Sequence, residues 1–155
     1  MTAILSSIVY KPQHLEAKPQ DRFARESVEM AHLLEGYGIE GDRKGGHPTR
    51  QLNIMCAEML DELATEGFSV QPGQMGEQLI VRGLDVNINA LPEGTVLQMG
   101  ADAKVEVTGA RNGCQRFEDI QGRSRTLAEG KLGVMARVIA SGDITINDPV
   151  SIVEG

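Results

Sequence analysis

Between positions 41 and 50 the sequence reads GDRKGGHPTR, where Arg43, Lys44, His47 and Arg50 are or can be cationic. The whole chain carries a formal net charge of −7, so this loop runs against its composition. Glycines at 41, 45 and 46 let the backbone take positive φ and approach a ligand closely. Pro48 holds His47 towards extended geometry. Backbone N–H groups and guanidinium forks together are a usual way to hold a phosphate or another oxyanion. The plain alternative is a solvated turn.

A second group reads TGARNGCQRFEDI, with Cys114 flanked by Arg111 and Arg116. Nearby cations stabilise a thiolate, the form that attacks, carries sulfur or binds metal. An inert structural cysteine is the competing reading. Cys56 differs, because it opens the clearest helix beside an apolar strand and reads as core. GRSR, residues 122–125, either lines the same pocket or decorates a loop, the loop being preferred. His14 and His32 have no partner at metal-ligand spacing, so surface or packing roles are expected. GQMGEQL around Gly76 lacks the Lys-Ser/Thr signature of a nucleotide loop and reads as a turn entering a strand. The scattered methionines 55, 59, 75, 99 and 135 are read as core filling.

Short strands must position these groups. AILSSIVY (3–10) is a strand, followed by a polar, proline-containing loop. VEMAHLLE (28–35) is ambiguous: its residue types favour a helix, but it is short and stops at Gly36 and Gly38. QLNIM is a strand, and AEMLDELATEG is a helix with Met59, Leu60, Leu63 and Ala64 on its apolar face and Gly67 at its C-terminal cap. EQLIVRG, DVNINA, TVLQMG, KVEVTGA, LGVMARVIA and PVSIVEG follow as extended runs punctuated by glycine. Many short strands and 18 glycines in 155 residues predict a mainly β fold with a few helices. The expected architecture is a closed or nearly closed β-barrel, with a sandwich as the competitor.

The length suits a single domain, 1–155. With aromatics at only 3% and no tryptophan, the core must be aliphatic and methionine-based. The acidic balance argues against non-specific nucleic-acid binding, which depends on neutralising phosphates, but leaves room for one small anion. Two cysteines without ligand spacing argue against structural zinc and against a secreted disulfide scaffold. With no signal-peptide pattern and no bilayer-length apolar run, a cytoplasmic, non-membrane protein is expected.

Taken in order, GIEGDRKGGHPTRQL, GQMGEQLIVRGLDV, EGTVLQMGADAKVEVTGARNGCQ and GKLGVMARVIASGDI resemble the MOSC domain, the C-terminal domain of molybdenum cofactor sulfurases. The chain looks like a small stand-alone bacterial member, matching from about Gly36 onwards. The most specific parts are Gly41–Asp42–Arg43, the Arg-x-x-Cys unit Arg111–Cys114, and Gly133–Val134 with Arg137. The resemblance implies a MOSC-like barrel and a cysteine, here Cys114, that carries sulfur as a persulfide or ligates molybdenum. It places Arg43, Lys44, His47, Arg50, Arg111 and Asn112 against the anionic pterin, molybdopterin. In larger relatives a pyridoxal-phosphate domain releases the sulfur. Pyridoxal phosphate is thus tied to this chain by family association only, and no Schiff-base lysine is evident.

In related amidoxime-reducing enzymes the matching cysteine coordinates molybdenum and N-hydroxylated compounds are reduced. Turnover of either kind implies a partner, a cysteine desulfurase or an electron-transfer protein. The alternative is a non-catalytic binding module for an anionic cofactor. Three positions depart from the family pattern. Gln78 stands where Asn is usual after Gly76–Glu77, Asn147–Asp148 replaces Gly-Asp, and Asn112–Gly113 stands where relatives often carry a proline before the cysteine.

Overall fold

A computed structural model describes residues 3–12, 25–43, 45–113 and 115–153, without the side chains of Gln115 and Arg116. The strands are β1 (Ala3–Tyr10), β2 (Glu26–Val28), β3 (Met30–Leu34), β4 (Gly38–Ile39), β5 (Leu52–Cys56), β6 (Leu79–Arg82), β7 (Val96–Met99), β8 (Ala103–Ala110), β9 (Val134–Ala140), β10 (Gly142–Thr145) and β11 (Pro149–Ile152). The helices are α1 (Ala57–Thr65) and α2 (Gln115–Gln121).

Seven strands close a mixed barrel in the order β11-β7-β8-β9-β5-β6-β1, with β1 pairing back onto β11. β2 adds to β1 as an extra strand, and β10, β3 and β4 form a small antiparallel sheet. Closure removes the exposed edges that so many short strands would otherwise present. The one parallel pair among them is β5–β6. Parallel neighbours need a crossover, and α1 supplies it.

Two cores follow from the period-2 alternation of the wall strands. On β5, Leu52, Ile54 and Cys56 enter the barrel interior with Leu79 and Val81 of β6. Met55 and Ile80 point the other way, into a second cluster with Leu60, Leu63, Phe68, Met75, Phe117 and Leu132. Full burial of each Leu or Ile contributes about 1.5–3 kcal/mol, so the aliphatic composition suffices without tryptophan. Met55, Met75 and Met99 are buried core residues. On α1 the buried face is Ala57, Leu60 and Leu63, while Ala64 is exposed. Gly67 caps the helix at φ +94°, its N–H donating to Ala64 O at 3.1 Å.

The structure settles one ambiguous segment, corrects one extended run and adds one helix. Residues 28–35, with helix-favouring composition, are extended: Met30–Leu34 is β3, paired with β10 and β4. Within DVNINA, Ile88–Ala90 is a single 3-10 turn, where the Asn87 side chain accepts from Asn89 N–H at 3.0 Å and Ile88 drops into the barrel core. α2 follows the Arg-x-x-Cys unit, in a segment to which the sequence pattern assigns no element.

Asn147, standing where the family pattern has glycine, takes φ +76°. Asn is the non-glycine residue that tolerates this left-handed region, so the turn keeps its shape. Gly133 at φ +78° has no such substitute, because a Cβ there would run into the Ile54 carbonyl.

Candidate functional site

A cleft of about 540 Å³ lies against the outer face of the barrel wall. The register fixes its floor. Asn53 pairs with Met135 across β5–β9, and Met135 pairs with Gly109 across β8–β9. Leu52 and Ile54 face the barrel core, so Asn53 between them faces outward. Met75, Gly76 and Gln78 come from the turn entering β6, Ala110 to Gly113 leave β8, and Phe117 and Ile120 belong to α2. His47, Arg50 and Arg25 complete the wall.

A hydrogen-bonded chain holds the floor together. Gln78 Oε1 accepts from Asn53 N–H at 2.7 Å, and Gln78 Nε2 donates to Asp42 Oδ2 at 3.4 Å. Asn53 Nδ2 donates to Gly76 O at 3.1 Å. Asp42 is fully buried and also accepts from Lys11 N–H at 3.1 Å. Asp42 of the Gly41–Asp42–Arg43 motif thus forms a bracket between the basic loop and the start of β6.

The loop is fastened at its far end as well. Thr108 Oγ1 donates to Thr49 O at 2.5 Å, and Thr49 N–H donates to His47 Nδ1 at 3.1 Å. A backbone N–H can only donate, so Nδ1 must accept, and neutral His47 carries its proton on Nε2.

Arg111 is nearly buried, at 9% exposure. Its N–H donates to Gly133 O at 3.1 Å, and its guanidinium lies across Gly76, where any Cβ would collide with it. Glu77, adjacent to that glycine, is 1% exposed. Burial pushes its carboxyl above the ordinary range, opposed by backbone N–H groups and the Arg111 charge.

Of the sequence-predicted site residues, His47, Arg50, Arg111 and Asn112 come together in this cleft. Arg43 is exposed and not among the lining residues; its N–H donates to Lys11 O at 2.9 Å. Lys44 and Cys114 lie outside the described residues, as do His14 and the Arg116 side chain. Gly113 and Phe117, which flank Cys114 in the chain, both line the cleft.

Arg123 and Arg125 are engaged elsewhere. Arg123 donates to Glu66 O at 2.7 Å and covers the Phe68 ring, and Arg125 pairs with Glu118. His32 Nδ1 meets Asp143 at 2.8 Å on the surface. Cys56 is a buried free thiol in the barrel core.

Sequence reasoning missed Arg25, Asn53 and Gln78 as lining residues. Alternation on β5 could have flagged Asn53, the polar residue between inward-facing Leu52 and Ile54.

The MOSC domain model matches residues 41–151, well over half of the chain. The chain belongs to the MOSC domain family. That family is associated with the molybdenum cofactor. Solved structures agree on the fold. The YUAD protein from Bacillus subtilis has a TM-score of 0.78 at 18% identity, covering 97% of this chain and 94% of its own. YiiM from Escherichia coli gives 0.71 at 24% identity, covering 98% and 70%. YiiM from Geobacillus stearothermophilus gives 0.72 at 20% identity, covering 98% and 75%. No curated protein matched the sequence. The cleft thus belongs to a MOSC domain, and no helix among its described residues is long and apolar enough to cross a membrane.

Proposed function

We propose that the cleft binds the anionic pterin of the molybdenum cofactor and that Cys114 works at the ligand's reactive end, as a persulfide carrier or as a molybdenum ligand. One observation carries this reading. Three arginines and a histidine line the cleft, and no Asp or Glu is among its described lining residues, in a chain of net charge −7. Positive charge gathered in a concave site with partly apolar walls focuses the field on an anion.

The residues present fit such a ligand. Arg25, Arg50 and Arg111 offer guanidinium forks to a phosphate or to oxo groups. His47 offers its Nε2–H, and Asn53 and Asn112 offer amide groups. Met75, Met135, Phe117 and Ile120 give the other side an apolar, polarizable surface suited to a flat heterocycle. The volume lies within the ordinary range for small-molecule sites, about 300–1,000 Å³. When bound, a molybdenum pterin would supply either a redox-active metal or an acceptor for sulfur.

The role of this chain's own residues is then to grip the anion and to hold a thiolate nearby. The cationic wall favours the charged form of a neighbouring thiol. In the carrier version the Cys114 thiolate attacks the terminal sulfur of a desulfurase persulfide, and the desulfurase cysteine leaves as thiolate. In the ligand version the thiolate donates to molybdenum, and a separate protein supplies electrons.

Two measurements test the proposal. Protein purified from a host that makes the molybdenum cofactor is expected to carry molybdenum or pterin in wild type and to lose it in Arg50→Ala. Intact mass after incubation with a desulfurase and cysteine is expected to show added sulfur in wild type and none in Cys114→Ser. Retention of cofactor together with full activity in Cys114→Ala would reduce the protein to a binding module.

A further inference from the structure

We infer that Glu77 is a positioning residue for Arg111, shaping the turn that seats the guanidinium in the cleft wall and supplying the opposing charge beneath it. The inference deepens the anion-binding reading above and rests on it for its ligand.

Glu77 is an anomaly on energetic grounds. A carboxylate at 1% exposure costs several kcal/mol unless its oxygens are satisfied and its charge is opposed. Both oxygens are satisfied by one turn: Oε2 accepts from Gly73 N–H at 2.8 Å and Oε1 from Met75 N–H at 3.2 Å. Those bonds curl residues 73–76 around the carboxylate, with Gly73 at φ +85° and Gly76 at φ +79°.

Arg111 rests against that turn at Gly76. Its guanidinium occupies the space a side chain at 76 would need. Its Nη1 also reaches towards Leu132 O, at 3.5 Å. Glu77 spends both carboxyl oxygens on backbone N–H groups of that turn. The charge acting on the carboxyl is nonetheless Arg111, the other contributions being burial and the backbone N–H groups of Gly73, Met75 and Glu77 itself. Shape and charge therefore converge on one guanidinium. From that seat Arg111 lines the cleft.

A double-mutant cycle on the full chain tests this, using inorganic phosphate as the probe and NMR shifts as the readout. Acting through Arg111, Glu77→Gln weakens phosphate binding about fivefold or more in wild type but changes it by less than about 1.5-fold in an Arg111→Met background. An equal loss in both backgrounds, no loss in wild type, or tighter binding would each overturn the inference.

A second arm needs no ligand: the thermal midpoint of Arg111→Met against wild type between about pH 4 and pH 8. Without Arg111 the folded-state carboxyl ionises at still higher pH than in wild type. The penalty is absent below the unfolded pKa and complete above the folded one, so Arg111→Met loses midpoint relative to wild type as pH rises. Adding Glu77→Gln flattens that difference. Parallel curves for wild type and Arg111→Met would sink the pairing, even if Glu77→Gln failed to fold. Absence of phosphate binding by wild type would count against the cleft reading alone and leave this arm to decide.

Discussion

The Tyr37 ring lies directly beneath Gly45, in the space that any side chain at 45 would need. Tyr37 also donates its hydroxyl to Asp42 O at 2.5 Å and accepts the Gly46 N–H on its carbonyl at 2.8 Å. The basic loop thus packs over one aromatic side chain, which accounts for the glycine at 45. Gly45→Ala is expected to cost about 1–3 kcal/mol, the usual penalty of overpacking. Gly46→Ala meets open space and costs only its strained φ of +91°. Thermal midpoints of the two variants check this, with Gly45→Ala the lower.

Gln78 spans from Asp42 on one side to the Asn53 backbone on the other, and that span requires its full length. The departure from the family's usual asparagine is therefore structural. Gln78→Asn cannot hold both partners and leaves one buried polar group unmet, at about 1–3 kcal/mol. Chemical denaturation measures the loss. A variant as stable as wild type would show that the bracket does not depend on that extra methylene.

How far this was legible in the sequence depended on whether neighbours in the chain stayed neighbours in space. β1 and the glycine-punctuated later strands were legible because alternation and turn residues are local signals. Met30–Leu34 was not, because Met, Ala, His and Leu favour a helix in isolation. Pairing of this segment with β10 and β4 overrides that preference. Within the site, His47 and Arg50 stood out as an excess of charge in one loop, and Arg111 and Asn112 through their place before Cys114. Arg25, Asn53 and Gln78 reach the cleft only through strand register and barrel closure, which no short window of sequence contains.

The cationic residues divide by what already holds them. Arg50 lines the cleft, whereas Arg123 caps Glu66 and Phe68, and Arg137 pairs with Glu106 at 2.5 Å. Arg50→Ala is expected to weaken phosphate binding about tenfold, since a hydrogen bond between charged groups contributes roughly 1.5–3 kcal/mol. Arg123→Ala and Arg137→Ala leave binding unchanged. Equal losses in all three would mean that phosphate responds to total charge and not to this site.

Cys56 sits just before α1, where a helix N-terminus ordinarily helps a thiol to ionise. Burial is the larger effect here and pushes the thiol up, opposed by the Met59 backbone N–H. The raised pKa favours the neutral form, so at pH 7 Cys56 stays a thiol, and at 8% exposure it is also shielded from reagents. In a Cys114→Ser variant, the remaining thiol is expected to react with a disulfide reagent about a hundredfold slower in native protein than after unfolding. The sign also fixes an alkaline effect. The unfolded thiol ionises first, so the folded state loses relative stability as pH rises above the ordinary thiol range, and Cys56→Ala abolishes that increment. Native labelling at the unfolded rate would show an accessible thiolate at position 56, and sulfur chemistry could then no longer be assigned to position 114 by elimination.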